Sequence, residues 1–489
     1  MLLVFDVGTT ALKGALFTRG GQMHGRAERP LALIPSADPL VQECDALEWV
    51  SALREVVAEL LGAGADRSGG RIEGPIQAVV VSGNGPTLVA VDGSGQPVAP
   101  AMTWMDRRGT EEAAIVSRKA GGPVDAAFYL PKALWLFRNR PDLYERTTHF
   151  LPCPEFLSFL MTGEALTFLP APQFARYIWG PSLIAAVGMD PTRFPPFVSC
   201  GTKIGSVTET GEARLGIPRG VPVVAGGPDF VVSLLGTATV RTGRACIRSG
   251  TSEGVNVVWP TAIADPRLLS LGHVIPGLFN ISGSISTSGK ALEWFRRLTG
   301  ETRLAYEEIF RRIEEVPPGA RGLLFLPYLT GERAPLWDAS ARGAFLGLSL
   351  SHGLPEMTRA VAESTGFAIR DVMEVMTEDG LSIRDLRITG TPSRSPVWNQ
   401  IKADITGHPI LAPAILDSDL AGDASLALFA LGDYPSLVDA SEAIVSMGTT
   451  YEPRSQYRSR YDELFSAYRQ AYQGLKMIFP TLSATRRAE

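Results

Sequence analysis

Apolar residues open the chain as a run, Leu2, Leu3, Val4 and Phe5, that stops at a single acid, Asp6. Val7-Gly8-Thr9-Thr10 follows, and a second apolar stretch ends at Leu16-Phe17. Two runs joined by small turn residues predict a β-hairpin over residues 1–20. From Asp45 to Leu61 the period changes, with Leu47, Val50, Leu53, Val56, Val57 and Leu60 at helical spacing. Ile76 to Ser82 reads as a buried strand, with Leu88 to Val91 as its neighbour across Gly83-Asn84-Gly85-Pro86. Val221 to Ala225 is a strand ending in Gly226-Gly227-Pro228-Asp229, and Leu386 to Thr389 is another, ending at Gly390. Strands alternate with helices throughout, which places the chain in the α/β class.

The opening pattern returns once. Arg244-Ala-Cys-Ile-Arg-Ser249 leads into Gly250-Thr251-Ser252 and then Val255-Asn-Val-Val258, again strand, small hydroxyl-bearing turn, strand. Ser249 stands where the first hairpin has its acid. Such an echo suggests two related domains, residues 1–243 and 244–489, with a hinge made of element ends rather than a linker.

Composition narrows the function classes. The 489 residues allow two to about four domains. Hydrophobic residues make up 45 % and charged residues 20 %, the balance of a globular protein with sizeable cores. A net charge of −5, dispersed along the sequence, gives no bulk attraction to nucleic acid or a membrane surface. Four scattered cysteines and five unclustered histidines point away from a zinc site or disulfide framework and towards a reducing, cytoplasmic setting. No apolar stretch reaches membrane-spanning length, and the N-terminus lacks the basic region of a signal peptide.

The hairpin turns carry the candidate chemistry. An acid at a strand end, Asp6, can hold a metal or its water, while Gly8, Thr9 and Thr10 leave N–H groups and hydroxyls for phosphate oxygens, with Lys13 just beyond. A magnesium-nucleotide site fits these residues; so does a plain hairpin whose Asp6 serves its own turn. Gly283 to Lys290 only approximates a P-loop, because its glycines are one residue too far apart and Ala291 lacks the metal-binding hydroxyl. No Gly-x-Gly-x-x-Gly follows a strand.

Beyond the hairpins, the chain carries Asp6-Val-Gly-Thr-Thr10, Trp104-Met-Asp106-Arg-Arg108, Pro131-Lys132-Ala-Leu-Trp135, Leu160-Met-Thr-Gly163-Glu164 and Gly226-Gly-Pro-Asp229. Gly250-Thr-Ser252, Pro327-Tyr-Leu-Thr-Gly331-Glu332-Arg333-Ala-Pro335 and Ala341-Arg-Gly343-Ala-Phe-Leu-Gly347-Leu348 follow. The last blocks are Arg359-Ala-Val-Ala-Glu363 and Ser395-Pro-Val-Trp398-Asn-Gln400-Ile-Lys-Ala-Asp404. In this order and spacing the chain resembles the FGGY carbohydrate kinases, closest to their xylulokinase-like branch.

The resemblance implies two actin-like (ribonuclease H-like) domains with a nucleotide and substrate cleft between them. It also implies an ATP-dependent, Mg2+-requiring transfer of the γ-phosphate to a sugar hydroxyl. It makes Asp229 the general base, with Asp6 and Asp229 next to the metal. Asp229 also reads as a helix N-cap. The nucleotide would meet Gly8, Thr9, Thr10, Lys13, Gly250, Thr251, Ser252 and Gly289, with Gly390, Thr391 and Asn399 at the adenosine. Gly289 also reads as a plain helix start and Asn399 as a solvated helix position. Pro392 departs from the Gly-Gly-Gly or Gly-Gly-Ala usual there, removing an N–H donor.

For the acceptor, the resemblance points to Asn84, Trp104, Asp106 and Glu43, each of which could instead be a core, turn or surface residue. The Asn84-Gly85-Pro86 loop matches neither the Gln-Met-His of xylulokinases nor the Asn-Gln-Arg-Glu of glycerol kinases. A pentulose such as D-xylulose is the leading substrate, with another ketose or polyol as the alternative. The rivals are a nucleotide-gated sugar-binding protein without activity and a chaperone-type ATPase. A homodimer is one assembly open to such a chain.

Overall fold

The computed structural model describes residues 1–62 and 74–485. The chain forms two compact units, and they are interleaved along the sequence. The first contains Met1–Ala238, Gly272–Pro276 and Ser418–Val445; the second contains Thr239–Leu271, Gly277–Asp417 and Ser446–Glu489. The sequence reading divides the chain once, near residue 243; the structure returns residues 418–445 to the first unit.

The first unit is built on six strands: β1 (Leu2–Val7), β2 (Ala11–Phe17), β3 (Met23–Pro30), β4 (Ala78–Gly83), β5 (Lys203–Ser206) and β6 (Pro222–Pro228). Their order across the sheet is β5-β6-β4-β1-β2-β3. β1, β4 and β6 run parallel, while β2, β3 and β5 are antiparallel to their neighbours. Every residue of β1 and of β4 is buried, as continuous apolar parallel strands covered on both faces should be.

The second unit repeats this plan. Its strands are β7 (Arg244–Ser249), β8 (Glu253–Trp259), β9 (Leu269–Gly272), β10 (Phe279–Ile285), β11 (Asp385–Thr389), β12 (Ile410–Pro413) and β13 (Met447–Tyr451). The order is β9-β10-β8-β7-β11-β12-β13, with β7, β11 and β12 parallel and β8, β10 and β13 antiparallel. Six consecutive strands therefore share order and direction between the sheets, and the echo of residues 3–17 in 244–258 is the sequence trace of a repeated fold.

Two expectations change. Helix α1 (Ala46–Gly62) forms where predicted, but Trp49, Leu53, Val56, Val57 and Leu60 face inward and Leu47 is exposed. The inward face is the predicted one from Leu53 onward; in the first turn Ala46 and Trp49 fill it in place of Leu47 and Val50, Trp49 supplying the larger apolar area. Leu88–Val91 does not pair with β4. It lies between Ala101–Met102 and His149–Pro152 in a separate four-stranded sheet, because the turn at Asn84–Thr87 carries the chain away from β4. Among the described residues no helix is long and apolar enough to cross a membrane.

Further helices are α2 (Tyr129–Asn139), α3 (Cys153–Thr162), α4 (Asp229–Leu235), α5 (Gly289–Leu298), α6 (Leu354–Glu378), α7 (Pro396–Thr406) and α8 (Ser418–Leu431). In the second unit α6 is the central core helix, buried along most of its 25 residues. In the first, α8 packs against β1, β4, β6 and α4.

Candidate active site

Parallel strands gather functional groups at their C-terminal ends. In the first unit, Asp6 of β1 is level with Ser82 of β4, and Ser82 is level with Gly227 of β6. The register of β6 slips by one residue between Ala225 and Gly227. Gly226 is the extra residue: a Cβ there would lie 1.9 Å from the Val81 carbonyl oxygen, so only glycine fits. This bulge re-aims the end of β6 and places Asp229 as the first residue of α4, immediately beyond the strand ends.

Pro228 holds the N-cap position. Asp229 is therefore inside the helix rather than its cap, with its carboxylate accepting from the Phe230 N–H at 2.5 Å. Two glycines fix α4 against α8. A Cβ on Gly236 would meet the Ser418 carbonyl oxygen at 1.7 Å, and one on Gly422 would meet the Val232 carbonyl oxygen at 2.0 Å. The backbones of the two helices are nearly in contact, so the position of Asp229 at the head of α4 is set by main chain rather than by flexible side chains.

Asp6 is buried, with Lys13 Nζ at 3.9 Å. Beneath it α8 contributes Asp423, fully buried, whose Oδ2 accepts from Ser82 Oγ at 2.6 Å. Burial, and secondarily the charge of Asp6, push the Asp423 carboxyl well above the ordinary range. Among the described residues no group of three or more His, Cys, Asp or Glu side chains could hold a metal. Asp6 offers a hard cation a buried carboxyl group at the strand end, which suits magnesium carried mainly by phosphate oxygens and water.

The Gly8–Thr10 turn is closed by Gly8 N–H to the Ala11 carbonyl, 2.9 Å, so Gly8 spends its own donor on the hairpin. Thr9 Oγ1 accepts from Trp104 Nε1 at 2.9 Å, which ties the turn to the Trp104 loop. Lys132 of α2 ties that loop to the next: its buried Nζ donates to the carbonyls of Pro86 (2.6 Å) and Thr103 (2.7 Å). Desolvation holds its pKa down at about 7.

The acceptor candidates divide on this geometry. Asn84 is buried and committed: Nδ2 donates to the Val7 carbonyl at 2.9 Å and Oδ1 accepts from Thr87 Oγ1. Asp106 is fully buried and accepts from Gln42 N–H and from the Arg108 guanidinium, with which it forms a 2.7 Å ion pair. Glu43 also pairs with Arg108, at 2.7 Å. Asn84 and Asp106 shape loops and do not offer free hydrogen-bonding groups to a sugar, contrary to the expectation, while Glu43 is part-exposed and engaged through Oε1 alone. Trp104, 39 % exposed, presents the largest surface of the four.

In the second unit a cavity of about 790 Å³ is lined by Gly250, Thr251, Gly289, Lys290 and Thr391 at its polar side and by Tyr306, Phe310, Pro396, Val397 and Trp398 at its apolar side. Its size and mixed lining suit a nucleotide. The turn at its edge is closed by Gly250 N–H to the Ser252 carbonyl, 2.9 Å. Gly289 N–H donates to the Gly250 carbonyl at 3.0 Å, and a Cβ at Gly289 would stand 2.6 Å from that oxygen. Gly289 thus serves close packing, with its own donor used. Gly390, at φ +94°, is equally constrained: its Cβ would lie 1.9 Å from the Ser249 carbonyl oxygen. Asn399 is a correction. It is fully buried, absent from the cavity wall, and donates through Nδ2 to the Ser393 carbonyl at 2.7 Å, bracing the Thr391–Arg394 turn from behind.

Sequence reasoning passed over Ser82, Asp423, Glu253 and Lys402. Glu253 alone carried a signal, as the one charged residue of an otherwise apolar strand, which burial makes costly without a partner; Asp423 and Lys402 share their helices with other charged residues and do not stand out.

The chain matches the N-terminal domain of the FGGY family of carbohydrate kinases over residues 1–236 and the C-terminal domain of the same family over residues 245–431. It is 27 % identical to a xylulose kinase of Staphylococcus epidermidis, covering 98 % of this chain and 97 % of that one. It is 25 % identical to a gluconokinase of Bacillus licheniformis, covering 96 % and 94 %. Among solved structures, xylulose kinase from Rhodospirillum rubrum superposes with a TM-score of 0.82 at 27 % identity, over 98 % of this chain and 99 % of that one.

Proposed function

The chain belongs to the FGGY family of carbohydrate kinases, and from that premise we propose that it transfers the γ-phosphate of ATP to a hydroxyl of a pentulose, with D-xylulose as the leading acceptor. The observation that carries this reading is the placement of Asp229. It stands at the head of α4, beyond the bulged end of β6, next to the strand ends that bear Asp6 and Ser82. Near-full-length similarity to xylulose kinases supports the choice of acceptor.

In the proposed step the sugar hydroxyl oxygen forms a bond to the γ-phosphorus. The bond from phosphorus to the β,γ-bridging oxygen breaks, and ADP departs with its electron pair. The Asp229 carboxylate takes the hydroxyl proton. Asp6, with Asp229 bordering the same strand ends, would hold magnesium through its water shell; the metal supplies charge neutralisation on the phosphates. Thr9, Thr10, Lys13, Thr251 and Ser252 are the proposed phosphate contacts, Thr391 and the apolar cavity wall the adenosine contacts, and the exposed face of Trp104 a stacking surface for sugar C–H groups.

The gluconokinase relative makes an aldonate the second reading. A coupled ADP-release assay with D-xylulose, other ketoses, gluconate and glycerol separates the two. Asp229→Asn should lower kcat by about 10²–10⁴-fold, the span of general-base catalysis, while ATP still binds. Wild-type turnover in that variant, or ADP release indifferent to any acceptor, would refute the proposal.

A further inference from the structure

Behind the Gly250–Ser252 turn lies a polar knot that no step of the proposed transfer uses. Glu253 opens β8, Ser249 closes β7, Ser288 precedes α5 and Lys402 sits in α7. All four are buried, and the side chains of Glu253 and Lys402 are wholly inaccessible. Lys402 Nζ donates to Glu253 Oε1 and, at 2.9 Å, to Ser249 Oγ. Ser249 Oγ donates to Glu253 Oε1, and Ser288 Oγ donates to Glu253 Oε2 at 2.7 Å. One carboxylate thus gathers groups from three elements besides its own.

The backbone shows what this gathering achieves. Ser288 N–H and Lys290 N–H donate to the Thr251 carbonyl at 3.1 and 3.2 Å, and Gly289 N–H donates to the Gly250 carbonyl at 3.0 Å. The start of α5 draws the turn's carbonyl oxygens onto itself, which keeps acceptors directed away from an anionic ligand. Gly250, Thr251, Gly289 and Lys290 all line the 790 Å³ cavity. Lys402 stands behind the wall of the same cavity, its Nζ 4.8 Å from the centre of the Trp398 ring that forms part of that wall.

A buried ion pair is a poor way to gain stability, because two well-packed apolar residues do as well or better. Its value lies in geometry: fixed hydrogen-bond directions and lengths. We propose that Lys402 and Glu253 are a positioning pair that sets the Gly250–Ser252 turn against the start of α5 and so governs the phosphate-dependent part of nucleotide binding. Neither residue touches the ligand. The inference rests on reading the cavity as the nucleotide site.

The test uses the full chain carrying Lys402→Met with Glu253→Leu, which removes both charges together and leaves no orphaned ion in the core. Lys402→Met alone is the companion variant. AMP, ADP and ATP binding are measured by calorimetry with magnesium present, alongside thermal unfolding. The pair as a positioning device predicts AMP affinity unchanged and ADP and ATP affinity lowered about tenfold or more in the folded double variant. A merely structural pair predicts a double variant that binds all three like wild type, or that loses all three equally, and either result overturns the inference. A wild-type chain that binds no nucleotide overturns the nucleotide reading and the inference with it.

Discussion

Glu155→Gln should convert a pH-dependent protein into a flatter one. Glu155 lies in the first turn of α3, buried, with Oε1 accepting from the Phe168 N–H at 2.8 Å and Oε2 without a partner among the described residues. Desolvation outweighs that one hydrogen bond and pushes its carboxyl from 4.5 up to about 8. An acid with a raised folded-state pKa binds its proton in the native state at pH values where the unfolded chain has released it. Its contribution to stability is full below 4.5 and is lost progressively as pH rises towards about 8. Each unit corresponds to about 1.4 kcal/mol, so between about pH 5 and pH 8 the wild type forgoes about 4 kcal/mol through this one group. Glutamine keeps the shape and the acceptor but has no proton to lose. Its amide nitrogen leaves a donor in an apolar setting, a cost that is constant with pH and cancels in the comparison. Urea unfolding of both proteins at the two pH values, with equal m-values, isolates the difference. The variant should gain on the wild type by about 4 kcal/mol from the acidic to the alkaline condition. Parallel pH profiles would mean that Glu155 is already ionised in the native state and that the burial argument fails.

Gly226→Ala should abolish the bulge of β6: its Cβ would lie 1.9 Å from the Val81 carbonyl oxygen, so the strand must shift and carry Asp229 with it. Turnover should fall far more than nucleotide affinity, and a variant with normal kcat would show that the strand end tolerates the move. Lys132→Met leaves the buried carbonyls of Pro86 and Thr103 without their donor, at a cost of about 1–3 kcal/mol each. Sugar KM should rise with ATP KM unchanged; an equal rise in both would contradict a role confined to the Asn84 and Trp104 loops.

Much of the scaffold was legible because apolar periodicity and small-residue turns act locally. The hairpin at 1–20, its repeat at 244–258 and the Gly-Gly strand end before Asp229 are all sequence-adjacent features. The pairing of Leu88–Val91 was not legible, since nothing local says whether a strand turns back on its predecessor or leaves for another sheet. Asn84 and Asp106 were misread for a related reason. A polar residue in a loop near a site can serve the ligand or the backbone, and here Val7, Thr87, Gln42 and Arg108 claim both side chains. Lys402 and Glu253 escaped notice because each looks unpartnered in its own element, while the partner lies 149 residues away.

The interleaving of the two units bears on how the protein comes to exist on the ribosome. Strands β1, β4 and β6 are complete once residue 228 has been made, yet α8, which covers them, ends at residue 431 and the first unit at residue 445. From residue 238 to residue 445 is 207 residues, about 10–40 s of synthesis at ~5–20 residues per second. Throughout that interval the apolar strands beneath α8 lack their cover, and the nascent chain must hold them in a partly folded state or lend them to a chaperone. A fragment ending near residue 243 would remain in that condition permanently.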